Sequence, residues 1–329
     1  MKISGKNVVI TGGAGFIGSH IAESLVKIGA NVTIFDNFSS GRQGNLNGSR
    51  NSMNIVKGNV LNYNSLRGVL RNADIVSHQA AQLEIFRCIS DPENDLKTNT
   101  IGTLNVLRAC EADNVKMMIN ASSACVYGQG NGHGSSDEDD FKRPNWAYGI
   151  SKLAAEKYCE LYQANTGMPV ASLRYGIVYG EREWFGRVLT IFIRRLLEKK
   201  PLVVFGNGKQ VRDFIHVDDV VRFHNLAIEK ELSGPYNVAT GKGTTINALA
   251  KMVGDSVLHE DLEEGKESRN VPGRRRIPQE LNRMVLDIWK AKELGWKPEV
   301  SLEDGINREI EWAMSHKNAW ETKRGMIRV

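Results

Sequence analysis

A tyrosine and a lysine four residues apart, Tyr148 and Lys152, open the segment NWAYGISKLAAEKY that begins at Asn145. Positions i and i+4 of a helix share a face, so the phenol and the ammonium act together. A free tyrosine titrates at ~10, and using it as a base near neutrality means lowering it by ~3 units, ~4 kcal/mol. A neighbouring ammonium and a second positive charge in front of the ring both favour the phenolate. YxxxK also occurs on plain amphipathic helices, with tyrosine inward and lysine outward, so the pair takes its meaning from its company. One companion is Ser123 in NASSACVYG, at the end of an apolar run. Its hydroxyl suits a hydrogen bond to a substrate hydroxyl and to Tyr148. Ser122 suits turn capping as well as a direct role.

The second positive charge would come from an oxidised dinucleotide. In NVVITGGAGFIGSHIAESLVKIGANVTIFDN, Gly12, Gly15 and Gly18 stand between an apolar strand and a helix whose Ile17, Ile21, Leu25 and Ile28 repeat at helical spacing. Small residues there let the backbone approach a pyrophosphate at a helix N-terminus, where free N–H groups and the helix dipole favour anions. Gly29 is a helix stop. Asp36 ends the following strand and offers a carboxylate to an adenosine ribose diol. It repels a 2′-phosphate, which favours NAD over NADP. Arg42 is the nearby feature that would admit NADP. Glycines alone are a weak signal, but strand, helix and acidic residue agree.

Elements that would hold these groups in place follow along the chain. ADIVSHQAA reads as strand and loop, Asp95 to Ala112 as helix, VKMMINAS as strand, then the helix of Lys152, then PVASLRY as strand. The alternation predicts an α/β fold, a Rossmann-type doubly wound parallel sheet, over residues 1–175. After Tyr175 the rhythm loosens, with helices expected at Thr190–Glu198 and Asp218–Lys230, a strand at LVVFG and two helices near the C-terminal end. Residues 176–329 are assigned mainly to a smaller substrate lobe, with a segment around 205–230 returning to the sheet. The acidic, glycine-rich run Gly128–Asp140 reads as a solvated surface loop. His78 and His216 read as loop or core residues near the cofactor.

The 329 residues are 41% hydrophobic and 25% charged, with a formal charge of +5, enough for a large core. The mild positive charge suits an anionic small molecule, and Arg274–Arg276 is too short for a nucleic-acid stripe. Cys88, Cys110, Cys125 and Cys159 are widely spaced, which argues against a zinc site or a disulfide framework. No apolar run reaches the ~18 residues of a membrane span, and no signal-peptide shape is present. A cytoplasmic setting is expected.

TGGAGFIG, SSACVYG, YGISK and GNGKQVRDFIHVDD occur in the order and approximate spacing of the extended short-chain dehydrogenase/reductases. The chain resembles their nucleotide-sugar epimerases, nearest to 4-epimerases of the UDP-glucose/UDP-galactose type, over nearly its whole length. The first and third motifs are shared across the superfamily; the last is more specific to enzymes acting on nucleotide sugars. The resemblance implies NAD against Gly12, Gly15, Phe16 and Ile17 at the pyrophosphate. It implies Asp36, Asn37 and Ser39 at the adenosine ribose, Asn59 and Val60 at the adenine, Gln79, Ala80 and Ala81 behind the cofactor, Asn99 near its ribose and Tyr175 by the nicotinamide. Tyr148 becomes the base, Lys152 its electrostatic partner (both also touching the cofactor) and Ser123 the hydroxyl anchor. Arg212 would grip the substrate's diphosphate, its alternative being an ion pair with Asp213 or Asp218. Arg276 lies near the second phosphate-binding arginine, and Cys125 and Arg187 fall in the sugar site.

Departures from the pattern bear on the reaction. Family dehydratases carry Asp-Glu after the active-site Ser or Thr, where this chain has Ala124 and Cys125. Asn59 replaces an aspartate, and Ile177 stands where 4-epimerases have an asparagine that meets the sugar. Trp184 and Phe185 in EREWFGR suit a sugar pocket or a core equally. SSAC also resembles GDP-mannose 3,5-epimerase, whose cysteine is an acid/base, but the companion lysine falls near Arg187, and arginine does not readily give up a proton. The leading expectation is a UDP-hexose 4-epimerase working through transient oxidation at C4. A different epimerase or a keto-sugar reductase comes second, and a silent dinucleotide sensor third. A homodimer through Asp95–Ala112 and Tyr148–Asn165 is the family expectation, with Val106, Leu153 and Tyr162 serving either that contact or the sheet.

Overall fold

The computed structural model describes residues 1–129, 134–316 and 320. The first half runs β1 (Asn7–Thr11), α1 (Phe16–Ile28), β2 (Asn31–Asp36), β3 (Met53–Lys57), α2 (Tyr63–Leu70), β4 (Ile75–His78), α3 (Ile85–Ser90), α4 (Pro92–Leu96), a π-helical turn (Lys97–Ile101), α5 (Gly102–Ala112), β5 (Met117–Ser123), α6 (Ala147–Thr166) and β6 (Val170–Tyr175). The strands lie parallel in the order β3-β2-β1-β4-β5-β6, with Val8 of β1 opposite Val32 on one side and Ile75 on the other. Every residue of β1 after Asn7 is buried, as a central strand covered on both faces requires. Gly29 closes α1 in the left-handed conformation, φ 92°, its N–H reaching the carbonyls of Leu25 and Val26. Strand order reverses between β1 and β4, so a crevice opens beyond their carboxyl ends, where open α/β sheets bind ligands.

The second half runs β7 (Ile177–Tyr179), α7 (Val188–Leu197), β8 (Leu202–Phe205), β9 (Val211–Arg212), β10 (Phe214–His216), α8 (Val217–Glu229), β11 (Gly234–Val238), β12 (Thr244–Thr245), α9 (Ile246–Val253), β13 (Val257–Glu260), β14 (Arg283–Met284), α10 (Trp289–Glu293) and α11 (Leu302–Ser315). Here β7 pairs with β10, β8 with β13, and β9 lies between β12 and β14. Leu189, Phe192, Leu249 and Ile306 build a separate core from α7, α9 and α11. Two elements rejoin the first half. Helix α8 packs on α1, where Asn225 Nδ2 donates to Ser24 Oγ at 2.7 Å, and β11 adds a seventh parallel strand beside β6.

Two local features differ from the expectations, and Val106 meets one of two that were open. The stretch Asp95–Ala112 is interrupted by the π turn at Lys97–Ile101. The run Gly128–Asp140 is not merely solvated: Ser136 and Glu138 are buried, and the Glu138 carboxylate accepts the Asn237 N–H of β11 at 2.7 Å, pairing a donor that would otherwise be buried unmet. Residues 130–133 of that run lie outside the described residues. Val106 is wholly buried with Val60 and Cys110, so of its two expected roles it takes the one against the sheet. Leu96, Ile101, Ile150, Tyr158 and Leu161 are exposed large apolar residues of these helices.

Candidate active site

Helix α6 presses its N-terminus onto the end of β5. Gly149 makes the approach possible, because a Cβ there would collide with the Cys125 carbonyl. One turn places Tyr148 and Lys152 over the C-terminal residues of β5. The Ser123 side chain lies near enough to the Tyr148 hydroxyl to favour its ionised form, and Ser123 Oγ accepts the Cys125 N–H at 3.1 Å. Lys152 Nζ donates to the Ala121 carbonyl at 2.8 Å and lies 6.0 Å from the centre of the Tyr148 ring. Both side chains are buried. Burial pushes the Tyr148 phenol well up, with the Cys125 and Cys88 thiols adding to it and Ser123 and Arg187 opposing. Burial likewise pulls the Lys152 ammonium down to about 8, against the charge of Asp95. Without a ligand, then, the chain holds Tyr148 as a phenol, and phenolate awaits a further positive charge.

A buried polar network fixes α6 in this position. Arg174 of β6 pairs with Glu156 at 2.8 Å and donates to Tyr127 Oη at 2.7 Å, while Tyr127 donates to Asn237 Oδ1 at 2.7 Å. Ser122 donates to the same Glu156 carboxylate, so Ser122 is an anchor for the helix. Glu156 extends the stripe Tyr148–Lys152 by one turn, and a charged residue on an inward face was the signal available for it in the sequence.

The glycine-rich turn follows β1, two strands from β5 in the same parallel sheet. Gly12 has φ 67°, and a Cβ there would lie 2.6 Å from the Ala80 nitrogen. Gly15 precedes α1, whose first turn has no side-chain cap, leaving the N–H groups beside Phe16 and Ile17 for an anion. Asp36 accepts the Ala14 N–H at 2.9 Å and the Phe38 N–H at 2.7 Å, and its burial raises its pKa against those two bonds. Asn37 accepts the Ser39 N–H at 2.9 Å, Asn59 the Leu61 N–H at 2.9 Å, and the Val60 carbonyl takes Asn105 Nδ2 at 3.0 Å. Gln79 donates to Ser77 Oγ at 3.1 Å and receives the Tyr175 hydroxyl at 3.5 Å. Ala80 and Ala81 follow it in the loop after β4, and Asn99 ties that loop to α6 through Gln82 and Ser151. His78 is buried between Thr11 Oγ1 at 2.7 Å and Thr103 Oγ1 at 3.0 Å, and burial drives it down to about 3.

The second half supplies arginines. Arg212 meets Glu280 at 3.4 Å, not Asp213 or Asp218. Asp213 is taken by the N–H groups of Thr240 and Gly241, both at 2.9 Å, and Asp218 by Arg308 at 2.7 Å. Arg276 approaches the same Glu280 carboxylate at 3.6 Å, which Gln210 also contacts at 3.1 Å. Glu280 therefore gathers Arg212 and Arg276 into one place, a partner no short motif announced. Arg187 donates to the Val178 carbonyl at 3.0 Å and pairs with buried Glu183 at 3.2 Å. Its charge and that of Arg212 both act on the Cys125 thiol, which burial raises. Phe185 lies under the guanidinium groups of Arg194 and Arg274, 4.7 and 5.5 Å from its ring, and near Trp320 at 6.3 Å, a packing position. Trp184 has a buried indole nitrogen without a partner. His216 caps α8, accepting the Asp218 N–H at 3.1 Å.

Residues 8–239 match the model of the NAD dependent epimerase/dehydratase family. A Methanocaldococcus jannaschii protein provisionally named UDP-glucose 4-epimerase is 35% identical over 310 residues, 93% of this chain and 97% of that one. The chain belongs to this epimerase/dehydratase family. A Bacillus cytotoxicus UDP-N-acetyl-alpha-D-glucosaminuronate decarboxylase is 33% identical over 325 residues, 95% of this chain and 99% of that one. The UDP-glucose 4-epimerase of Thermus thermophilus, solved in complex with NAD, superposes with a TM-score of 0.83 at 32% identity, covering 93% of this chain and 98% of that chain.

NAD is the cofactor of the family, and the turn fits it. The uncapped start of α1 offers donors to a pyrophosphate, the closeness of Gly12 to Ala80 excludes any side chain from the cradle, and Asp36 has lone pairs beyond the two its backbone donors occupy. Among the described residues no helix of this epimerase/dehydratase is long and apolar enough to cross a membrane.

Proposed function

We propose that the chain is a nucleotide-sugar 4-epimerase of the UDP-hexose type, working through transient oxidation at C4. The observation that carries this reading is the buried pair Tyr148 and Lys152, the ammonium 6.0 Å from the phenol ring centre, packed over the end of β5, whose last residue is Ser123. Ser123 orients the C4 hydroxyl, and Tyr148 accepts its proton and later returns it. Lys152 stabilises the phenolate between the two events. Arg212 and Arg276 exchange Glu280 for the substrate diphosphate, a role suited to forked guanidinium donors. NAD supplies the two-electron acceptor and donor, and its positive ring favours Tyr148 as phenolate. Elimination of water from the sugar would need an acid and a base next to Ser123. Ala124 has neither, and the buried Cys125 thiol is held protonated, which favours epimerisation over dehydration. We also assign a cytoplasmic homodimer, with the dimer supported by the exposed Leu96, Ile101, Ile150 and Leu161 on neighbouring helices.

A second reading rests on Arg187, whose charge acts on both Tyr148 and Cys125. A guanidinium this close to the C4 anchor suits a sugar with a carboxylate at C5, so a uronic-acid epimerase or decarboxylase is the alternative. The test is incubation with UDP-, GDP-, CDP- and dTDP-hexoses and UDP-uronic acids, without added cofactor, and product identification by NMR. Inversion at C4 of a UDP-hexose supports the first reading. Conversion confined to uronic acids, or release of carbon dioxide, replaces it with the second.

A further inference from the structure

We propose that Arg182 is a positioning residue for the dinucleotide: reaching over from the second half of the chain, it clamps the start of α1 to the loop packed on Asp36 and so holds the glycine-rich turn in the shape that retains NAD. The inference rests on NAD in that turn and not on the identity of the sugar. Arg182 lies in the connection between β7 and α7. Its φ of 72° is a left-handed conformation that residues other than glycine rarely adopt and keep only where the surroundings impose it. The guanidinium fork reaches two elements of the first half. Nη2 donates to Glu23 Oε2 of α1 at 2.7 Å. Nη1 donates to Ser19 Oγ of α1 at 3.2 Å and to the Asn45 carbonyl at 3.1 Å. The Arg182 and Glu23 side chains are only 20% and 16% exposed, so solvent screens the pair less than an ordinary surface bridge. Next to it, His20 Nε2 donates to the Glu181 carbonyl at 2.8 Å.

The groups that Arg182 grips are those that shape the turn. Asn45 Nδ2 and the Arg42 N–H both donate to the Ala14 carbonyl at 2.9 Å, while the Ala14 N–H is held by Asp36. Between them Gly41 packs so closely that a Cβ there would lie 2.9 Å from both Asp36 oxygens. On the helix side, Ser19 Oγ donates to the carbonyl of Phe16, the first residue of α1, at 2.9 Å. One guanidinium therefore braces the turn from the loop and from the helix at once. The clamp has a firm root in the second half. The Glu181 carboxylate meets Arg308 of α11 at 2.9 Å, and the Glu183 carbonyl accepts the Trp320 indole N–H at 2.8 Å. Joining the two halves does not require Arg182, because α8 on α1 and β11 beside β6 already do so.

The experiment is Arg182→Gln, with Glu23→Gln beside it, which opens the same clamp from α1 and keeps the test alive if the loop does not fold with glutamine. Release of NAD from the loaded protein is timed by ultrafiltration, NAD affinity is measured by calorimetry on the full chain stripped of cofactor, and melting temperatures are taken without NAD. Each variant should bind NAD about tenfold more weakly, the size of one lost charged hydrogen bond, and release it faster, while melting close to the parent in the NAD-free state. The double variant should lose little more than either single one, because both remove the same contact. Arg182→Lys keeps the charge without the fork and should restore part of the loss. NAD affinity and release equal to the parent in folded variants overturn the proposal. So does a fall in the NAD-free melting temperature with NAD affinity unchanged, which marks Arg182 as packing only, and so do fully additive losses in the double variant. If the parent turns over no nucleotide sugar, the proposed function fails, while NAD binding still decides the role of Arg182.

Discussion

Replacing Lys152 with methionine removes the cation while keeping the length of the side chain. The parent ammonium lies 6.0 Å from the Tyr148 ring centre in a site from which water is excluded. Coulomb's law at an effective dielectric of about 20 makes its attraction for a phenolate ~3 kcal/mol at that separation. That is about a 100-fold loss in rate if the phenolate is the base. The sign of the pH dependence is specific. Without the ammonium the phenol ionises at higher pH, so the deficit of Lys152→Met relative to the parent should shrink as pH rises, most of all above about 8, where the parent lysine gives up its own charge. The assay is C4 inversion followed by NMR from pH 6 to 10, with bound NAD released and quantified in parallel so that loss of cofactor is not mistaken for loss of catalysis. Methionine at 152 also forfeits the bond to the Ala121 carbonyl, so melting temperatures are needed for both proteins. A cofactor-loaded variant within threefold of the parent, or one reduced equally at every pH, refutes the electrostatic role.

Tyr148→Phe should lower turnover by about 10²- to 10⁴-fold, the usual contribution of a general base, with NAD content and melting temperature close to the parent. His78 and His224 are held by burial down to about 3 and about 4. Their folded values lie below the unfolded value, so they leave stability intact above pH ~6.5. As pH falls below that, the unfolded chain takes up protons the folded chain refuses, and each histidine costs ~1.4 kcal/mol per pH unit down to its folded pKa. Urea midpoints at pH 7, 6 and 5 check this, and a flat series contradicts it. Ile150→Asp with Leu161→Asp, both on exposed positions of α6, should convert a homodimer to a monomer by light scattering.

Much of the fold was legible because it rests on local signals. The run after Asn7, the glycines, Gly29 and Asp36 fall within one βαβ unit, and the Tyr148–Lys152 pair within one helical turn. What could not be read depends on partners far apart in sequence. Glu280 gathers Arg212 from 68 residues away, and Arg174 reaches back to Tyr127 across 47; neither spacing leaves a periodic trace. Glu138 sits in a run whose composition says water, yet it serves a strand N–H 99 residues on. The π turn was hidden because Asp95–Ala112 keeps helical composition throughout, and only the Asp95–Asn99 spacing hinted that two polar residues share an inward face. Val106 stayed open between dimer contact and sheet because an apolar residue on a helix does not say which of two faces is covered.

The measurement that tests the central claim most directly uses UDP-galactose carrying deuterium at C4, incubated with the protein as purified and no added cofactor. Oxidation and return at C4 within one active site predicts UDP-glucose with deuterium still at C4, a slower rate than the unlabelled sugar, and no free reduced cofactor. Solvent hydrogen at C4 of the product, label appearing in released reduced cofactor, or no inversion at all would contradict the account.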